Sequence, residues 1–133
     1  MSDHTLLNLR DDTEDFAKRF GLDPDLELRY GRKALGIEGG NFSYHRRAPN
    51  VAGTSGHRHQ TQEEVYIVIA GSGQVKLDDE VHDVHQWDVI RVPPAVARGF
   101  ASGPDALELI AIGFGEGGDG ETVEGSWEPP SGR

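Results

Sequence analysis

Two histidines one residue apart, followed by a glutamate, are the residues of this chain best suited to chemistry. His57-Arg58-His59 precedes the most apolar stretch of the sequence, and Glu64 opens it. Side chains of an extended segment alternate with period two, so both imidazoles point to the same side. Glu64 shares strand parity with Tyr66 and Val68, whereas Glu63 shares it with Val65 and Ile67, so only one of the paired glutamates can face a common pocket. Two neutral imidazoles and a carboxylate form a hard-to-borderline nitrogen and oxygen set. It suits Fe(II), Mn(II), Ni(II), Cu(II) or Zn(II) with coordination positions left open, and the residues alone do not choose among them. By itself, H-x-H is also the spacing of many surface histidines. His82 and His85 are three apart on an expected strand, so they face opposite sides and at most one looks inward; the plainer reading is exposed strand histidines near Asp83. His4 and His45 have no partners in sequence.

The elements that must position this trio read mostly as strands. Asp11 to Phe20 is the one expected helix, with acids in its first turn, Phe16 and Phe20 on one face and Gly21 to end it. Asp23-Pro24-Asp25 breaks the chain before an alternating strand at Leu26 to Tyr30, and Asn41 to Arg47 reads similarly, with Phe42 and Tyr44 on one face. Val65 to Ala70 is rich in β-branched residues, and Gly71-Ser72-Gly73 is expected to turn it into Gln74 to Leu77 as a hairpin. Further strands are expected at Val81 to His85, at Trp87 to Val92 before Pro93-Pro94, and at Ala106 to Ile112. Many short strands with closely spaced turns and a single helix predict a sandwich or barrel. The expected division is a helical lead-in over 1–25, a barrel over 26–113, and a tail over 114–133 dense in glycine and acid, with Trp127 its only large apolar anchor.

Composition narrows the partners. The 133 residues fit one domain, and the absence of cysteine excludes disulfides and thiolate metal sites. A formal charge of −10 opposes sequence-independent binding to nucleic acid or anionic lipid, so neither partner is expected. The polar segment Met1 to Arg10 has no apolar core of signal-peptide length and no run approaches a membrane span, which makes a cytoplasmic location the expectation.

From His57 through His59 and Glu64 to Gly71 the chain reads H-x-H-x4-E-x6-G, which resembles the first motif of the cupin superfamily. The motif's leading glycine falls on Val51, although Gly53 and Gly56 lie close enough to shape the same loop. The second motif falls on Trp87, Pro93, Ala95, Arg98 and Ser102, with only its proline kept; residues 72 to 86 separate the two motifs. The resemblance spans about Phe42 to Ile112. It implies an all-β double-stranded β-helix, a jelly-roll barrel, here with a short N-terminal helix. It also implies a homodimer, with a divalent metal on His57, His59 and Glu64. Arg98 stands where the family's fourth ligand, a histidine, would be, and a guanidinium cannot ligate. Either the three remaining ligands form the site, with Arg98 swung aside or engaging an anionic ligand, or the metal is lost and Arg98 pairs with Glu64. Tyr66 and Val68 should line the pocket, with Phe100 near its mouth, and Trp87 either fills the pocket or marks a self-association surface. The face carrying Val65, Ile67 and Ile69 needs cover from a strand, the helix or a second subunit. Cupin barrels host many activities, so the fold leaves function to the site. The site is expected to take a small molecule. It would serve a metal-dependent oxygenase- or isomerase-type enzyme on a small anionic substrate, or a metal-free binding or sensor module in which Arg98 holds a small anion or sugar acid. A third class has no ligand, its pocket packed shut by Trp87 and Phe100.

Overall fold

The computed structural model describes residues 3–19, 21, 24–52, 56–115 and 117–123. Phe20, Asp23, Gly53 and Trp127 lie outside the described residues. Eight strands dominate: β1 (Leu26–Tyr30), β2 (Gly40–Arg47), β3 (Gly56–Arg58), β4 (Glu64–Leu77), β5 (Glu80–His85), β6 (Val89–Val92), β7 (Arg98–Phe114) and β8 (Glu121–Val123). Three one-turn helices, α1 (Leu9–Asp12), α2 (Phe16–Arg19) and α3 (Arg32–Leu35), decorate them. All pairings are antiparallel, in the order β1-β2-β7-β3-β8, with β4 joining β5, β6 and β7. The all-β jelly-roll expectation therefore holds.

Two long strands curl the sheet. β4 and β7 pair with each other from Glu64↔Gly113 to Leu77↔Arg98, while β4 changes its other neighbour from β6 to β5 along its length. The hairpin expected at Gly71-Ser72-Gly73 is thus corrected: the chain does not reverse there, and β4 runs on through two register shifts, between Val68 and Ala70 and between Gly71 and Gly73. The glycines serve a bulge. Gly71 takes φ +79, and a Cβ there would collide with the Ala106 carbonyl oxygen, as one on Gly73 would with that of Ala101. Ala106 answers across the pair with φ +66. Such bulges sharpen strand bending, which is how one strand can serve two walls of a barrel. The expected last strand at Ala106 to Ile112 is likewise only the second half of β7.

The single helix expected over Asp11 to Phe20 is corrected to two separate turns. Asn8 caps α1 by accepting from the amides of Arg10 and Asp11, both at 3.0 Å, and the chain is then extended at Thr13 (φ −122, ψ 157), whose hydroxyl bonds the Leu9 carbonyl. Asp15 Oδ1 accepts from the amides of Ala17 and Leu28, both at 3.0 Å, so it caps α2 and ties it to β1. Short polar side chains compete for backbone amides here and divide the helix. Phe16 packs edge-on to Tyr30, with centroids 4.9 Å apart.

The core lies between the curled walls and comprises Tyr66, Val68, Val75, Val84, Val92, Phe100, Leu107, Leu109 and Ala111. Replacing Gly71 by alanine forces a Cβ into a left-handed position against backbone. Stability is expected to fall by roughly 2–4 kcal/mol, read from urea unfolding midpoints, with the fold retained.

Candidate metal centre

Glu64 Oε1 is the point at which the expected trio meets. His57 Nε2 lies 3.2 Å from it and His59 Nε2 3.1 Å, and the two rings stand nearly perpendicular, 85° apart. The Tyr66 hydroxyl donates to the same oxygen at 2.7 Å. Parity delivers this arrangement: Glu64, Tyr66 and Val68 are buried, whereas Glu63 points outward to Arg91, at 2.7 Å. His57 and His59 come from β3 and the residue following it, held by the pairing His57↔Arg98 and by the His59 amide donating to the Pro94 carbonyl at 2.8 Å. The three donor atoms lie within 4.8 Å of one another. Two ligands bonded at about 2.1 Å to one ion, at an angle of about 90–100°, sit about 3.0–3.2 Å apart. The spacings at Glu64 match that condition, so these residues could hold a divalent metal.

Asp119, which composition placed in an acidic tail, is a supporting residue that sequence reasoning missed. Its Oδ1 lies 2.9 Å from His59 Nδ1. With Nδ1–H donated to Asp119, Nε2 presents a lone pair to the Glu64 carboxylate. That tautomer is the one a metal ligand at Nε2 would need.

The electrostatics follow from burial and these contacts. Burial alone raises the Glu64 pKa, but hydrogen bonds from His57 and Tyr66 and the charges of both histidines outweigh it and hold the carboxyl down at about 2. Burial and the neighbouring Glu64 charge push the Tyr66 phenol well above its ordinary value. The Asp119 carboxyl is held below the ordinary range, first by the Thr61 amide and then by His59.

The Arg98 side chain is fully buried, Nη2 donates to the Pro93 carbonyl at 2.9 Å, and Nε forms a long ion pair with Glu64 Oε1 at 3.9 Å, so Arg98 is not swung aside and meets Glu64 at ion-pair rather than hydrogen-bond distance. Among the described residues its Nε and Nη1 have no hydrogen-bond partner. Phe100, expected near the mouth, is 6% exposed and packs on Tyr66 with centroids 4.9 Å apart. Trp87 is 69% exposed and keeps φ +75, the backbone conformation a glycine would adopt. It does not fill the pocket, and closure by Trp87 and Phe100 together is overturned. His82 and His85 are both exposed, near Glu80 and Asp88 respectively, and neither reaches the trio.

A second polar wall was also missed. Register sets Ser43 opposite Ala111, itself opposite Tyr66, and sets His45 opposite Leu109, itself opposite Val68. Residues directly opposite in a sheet share a face, so Ser43 and His45 look inward with Tyr66, and Tyr30, opposite Ser43 and 49% exposed, lies at the rim of that face. Ser43 Oγ and His45 Nε2 are 2.8 Å apart. The only sequence signal was that Ser43 and His45 alternate with Phe42 and Tyr44, and alternation does not say which face is inside.

The sequence profile of the cupin domain matches residues 44–113, more than half of the chain, and the protein belongs to that family. An uncharacterized protein of Methanocaldococcus jannaschii is 42% identical over 38 residues, 29% of this chain and 30% of that one, so the match spans under a third of the relative's length. Among solved structures, the polyketide cyclase RemF of Streptomyces resistomycificus superposes with TM-score 0.72 at 20% identity, covering 90% of this chain and 84% of that one. PAC13 of Streptomyces, solved with uridine, gives 0.70 at 14% identity over 93% of each chain. At these identities the likeness speaks for the fold.

Burial, with Arg47 and His57 as further causes and Glu64 opposing, lowers the His45 pKa to about 4. The unfolded chain then binds a proton that the folded one refuses, so stability falls as pH drops from 6.5 towards 4. Between pH 7 and pH 5 this is expected to cost on the order of 1–2 kcal/mol. His45→Gln should flatten that part of the profile, read by urea unfolding at the two pH values.

Proposed function

We propose that this cupin holds a divalent transition metal on His57, His59 and Glu64 and acts on a small oxygenated, anionic molecule bound inside the barrel. The observation that carries the reading is the convergence of two imidazole nitrogens, at 3.1 and 3.2 Å, on one buried carboxylate oxygen. Fe, Mn, Ni, Cu and Zn all suit the donor set. Such a metal, when bound, polarises a substrate oxygen or takes up dioxygen, which is the chemistry of oxygenase- or isomerase-type enzymes.

The chain's own groups divide the remaining work. Tyr66 donates to Glu64 and fixes the carboxylate, and buried Phe100 props the phenol ring. Arg98 keeps a permanent, buried positive charge 3.9 Å from Glu64, which favours a negatively charged ligand nearby. Ser43 and His45 offer hydrogen bonds from the same inner face, two strands from Tyr66. His57, with 41% of its side chain exposed, marks the side from which a ligand enters.

A second reading is favoured by one observation, the two unpartnered nitrogens of Arg98. In it the barrel is a metal-free module that holds a small anion or sugar acid at Arg98. In either case the absence of cysteine fits a cytoplasmic protein. Outward-facing Val65, Ile67 and Ile69, all half-buried, fit a homodimer.

Metal analysis of protein purified without a histidine tag decides between the two. Near-stoichiometric metal in the parent is expected, with affinity at least about 100-fold weaker in His59→Ala and an unchanged circular dichroism spectrum. A parent that refuses Fe, Mn, Ni, Cu and Zn on reconstitution, yet binds citrate or galacturonate in a manner abolished by Arg98→Met, would replace the first reading with the second.

A further inference from the structure

The chain between 117 and 123 is stitched to the metal loop by more than strand pairing. β8 pairs with β3 through Gly56↔Val123, His57↔Thr122 and Arg58↔Glu121, and Arg58 also bonds the Glu121 carboxylate at 2.8 Å. Before β8, Gly117 and Gly118 both take φ +75, a left-handed step that brings Asp119 against the loop joining His59 to Glu64. Asp119 Oδ2 there accepts from the amides of Gln60 at 3.1 Å, Thr61 at 2.7 Å and Gln62 at 3.0 Å, and from the Thr61 hydroxyl at 3.0 Å. Its other oxygen faces His59 Nδ1 at 2.9 Å. One carboxylate therefore grips the whole turn between two of the three candidate ligands, and orients one of them.

We propose that Asp119 is the positioning residue of the metal centre, and that docking of the 117–123 strap and metal occupancy at His57, His59 and Glu64 strengthen one another through His59. This rests on the metal reading above. The physical cause is shared polarisation: a cation on Nε2 draws electron density from the imidazole and makes Nδ1–H a stronger donor to Asp119. In return, Asp119 makes Nε2 a better ligand and fixes the plane of the ring. Coupling of two binding events is reciprocal, so whatever factor the strap adds to metal affinity, the metal adds to strap docking. Residues supporting a ligating histidine in this way typically change metal affinity by about 10–100-fold. A purely structural clasp would hold the loop equally well with or without metal.

The test uses the full chain and Co(II) as the probe. Co(II) affinity is measured by chelator competition for the parent, Asp119→Asn, Asp119→Ala and His59→Ala, together with amide hydrogen exchange of residues 60–62 and 117–123 with and without Co(II). Asparagine keeps an acceptor for the loop amides while losing the charge, so Asp119→Asn is expected to weaken Co(II) binding about tenfold or more and Asp119→Ala further. Co(II) should slow exchange of the strap in the parent and leave it unchanged in Asp119→Asn. Equal Co(II) affinity in the parent and both Asp119 variants, or strap exchange indifferent to Co(II), would overturn the coupling and leave the metal reading standing. Co(II) that fails to bind the parent, or binds His59→Ala equally well, would overturn both.

Discussion

A carboxylate oxygen buried inside a β-barrel must be compensated from several directions, and Glu64 Oε1 obtains that compensation from three different strands. The imidazoles arrive from β3 and its end, the phenol from two residues along β4, and the guanidinium of Arg98 from the start of β7. The phenol needs only strand parity, whereas the imidazoles and the guanidinium are brought in by the pairing of β3 with β7 and of β7 with β4. Were β4 to reverse at its glycines, as a hairpin would, the pairing that carries β7 from Gly113 to Arg98 alongside it could not form. The bend at Gly71 is thus as much a part of the site as His57, His59 and Glu64.

The trio was legible because its signal is local. Two histidines with equal parity, and a glutamate in phase with Tyr66 and Val68, need only period-two alternation to be placed together. The cupin-like spacing supplied the barrel. Non-local features were not legible. Asp119 sits in a glycine-rich acidic stretch with almost nothing to bury, and its role arises because three loop amides and a ring nitrogen converge on it. Gly71-Ser72-Gly73 has turn composition, and only the closeness of the Ala106 and Ala101 carbonyls shows that the glycines make room for β7.

β2 misleads for a different reason. Its aromatic face would ordinarily be assigned to the core. Tyr44 is indeed 4% exposed, but its hydroxyl donates to Glu108 at 2.5 Å and the Arg10 guanidinium lies 5.6 Å above its ring, so the polar lead-in covers it from outside the barrel. The interior receives Ser43 and His45 instead. Such an inversion suits a site, since an inner face of pure hydrocarbon beside Glu64 would offer an oxygenated ligand few hydrogen bonds. Arg98 is similar in kind: a fully buried cation with two unpartnered nitrogens is costly for folding, and it lies where that cost acts on the centre.

The long reach of β7 also orders the birth of the molecule. On the ribosome, β2 has only β1 to pair with until residues 107–114 emerge, and a lone two-stranded ribbon is marginal in water. β3 lacks its β7 partner until Arg98 is made, and its β8 partners until residues 121–123 follow. The histidines are therefore translated early but gain a fixed geometry late. During that interval the nascent chain exposes two imidazoles and a carboxylate without a cage, and the emergence of residues 121–123 sets the moment at which they close.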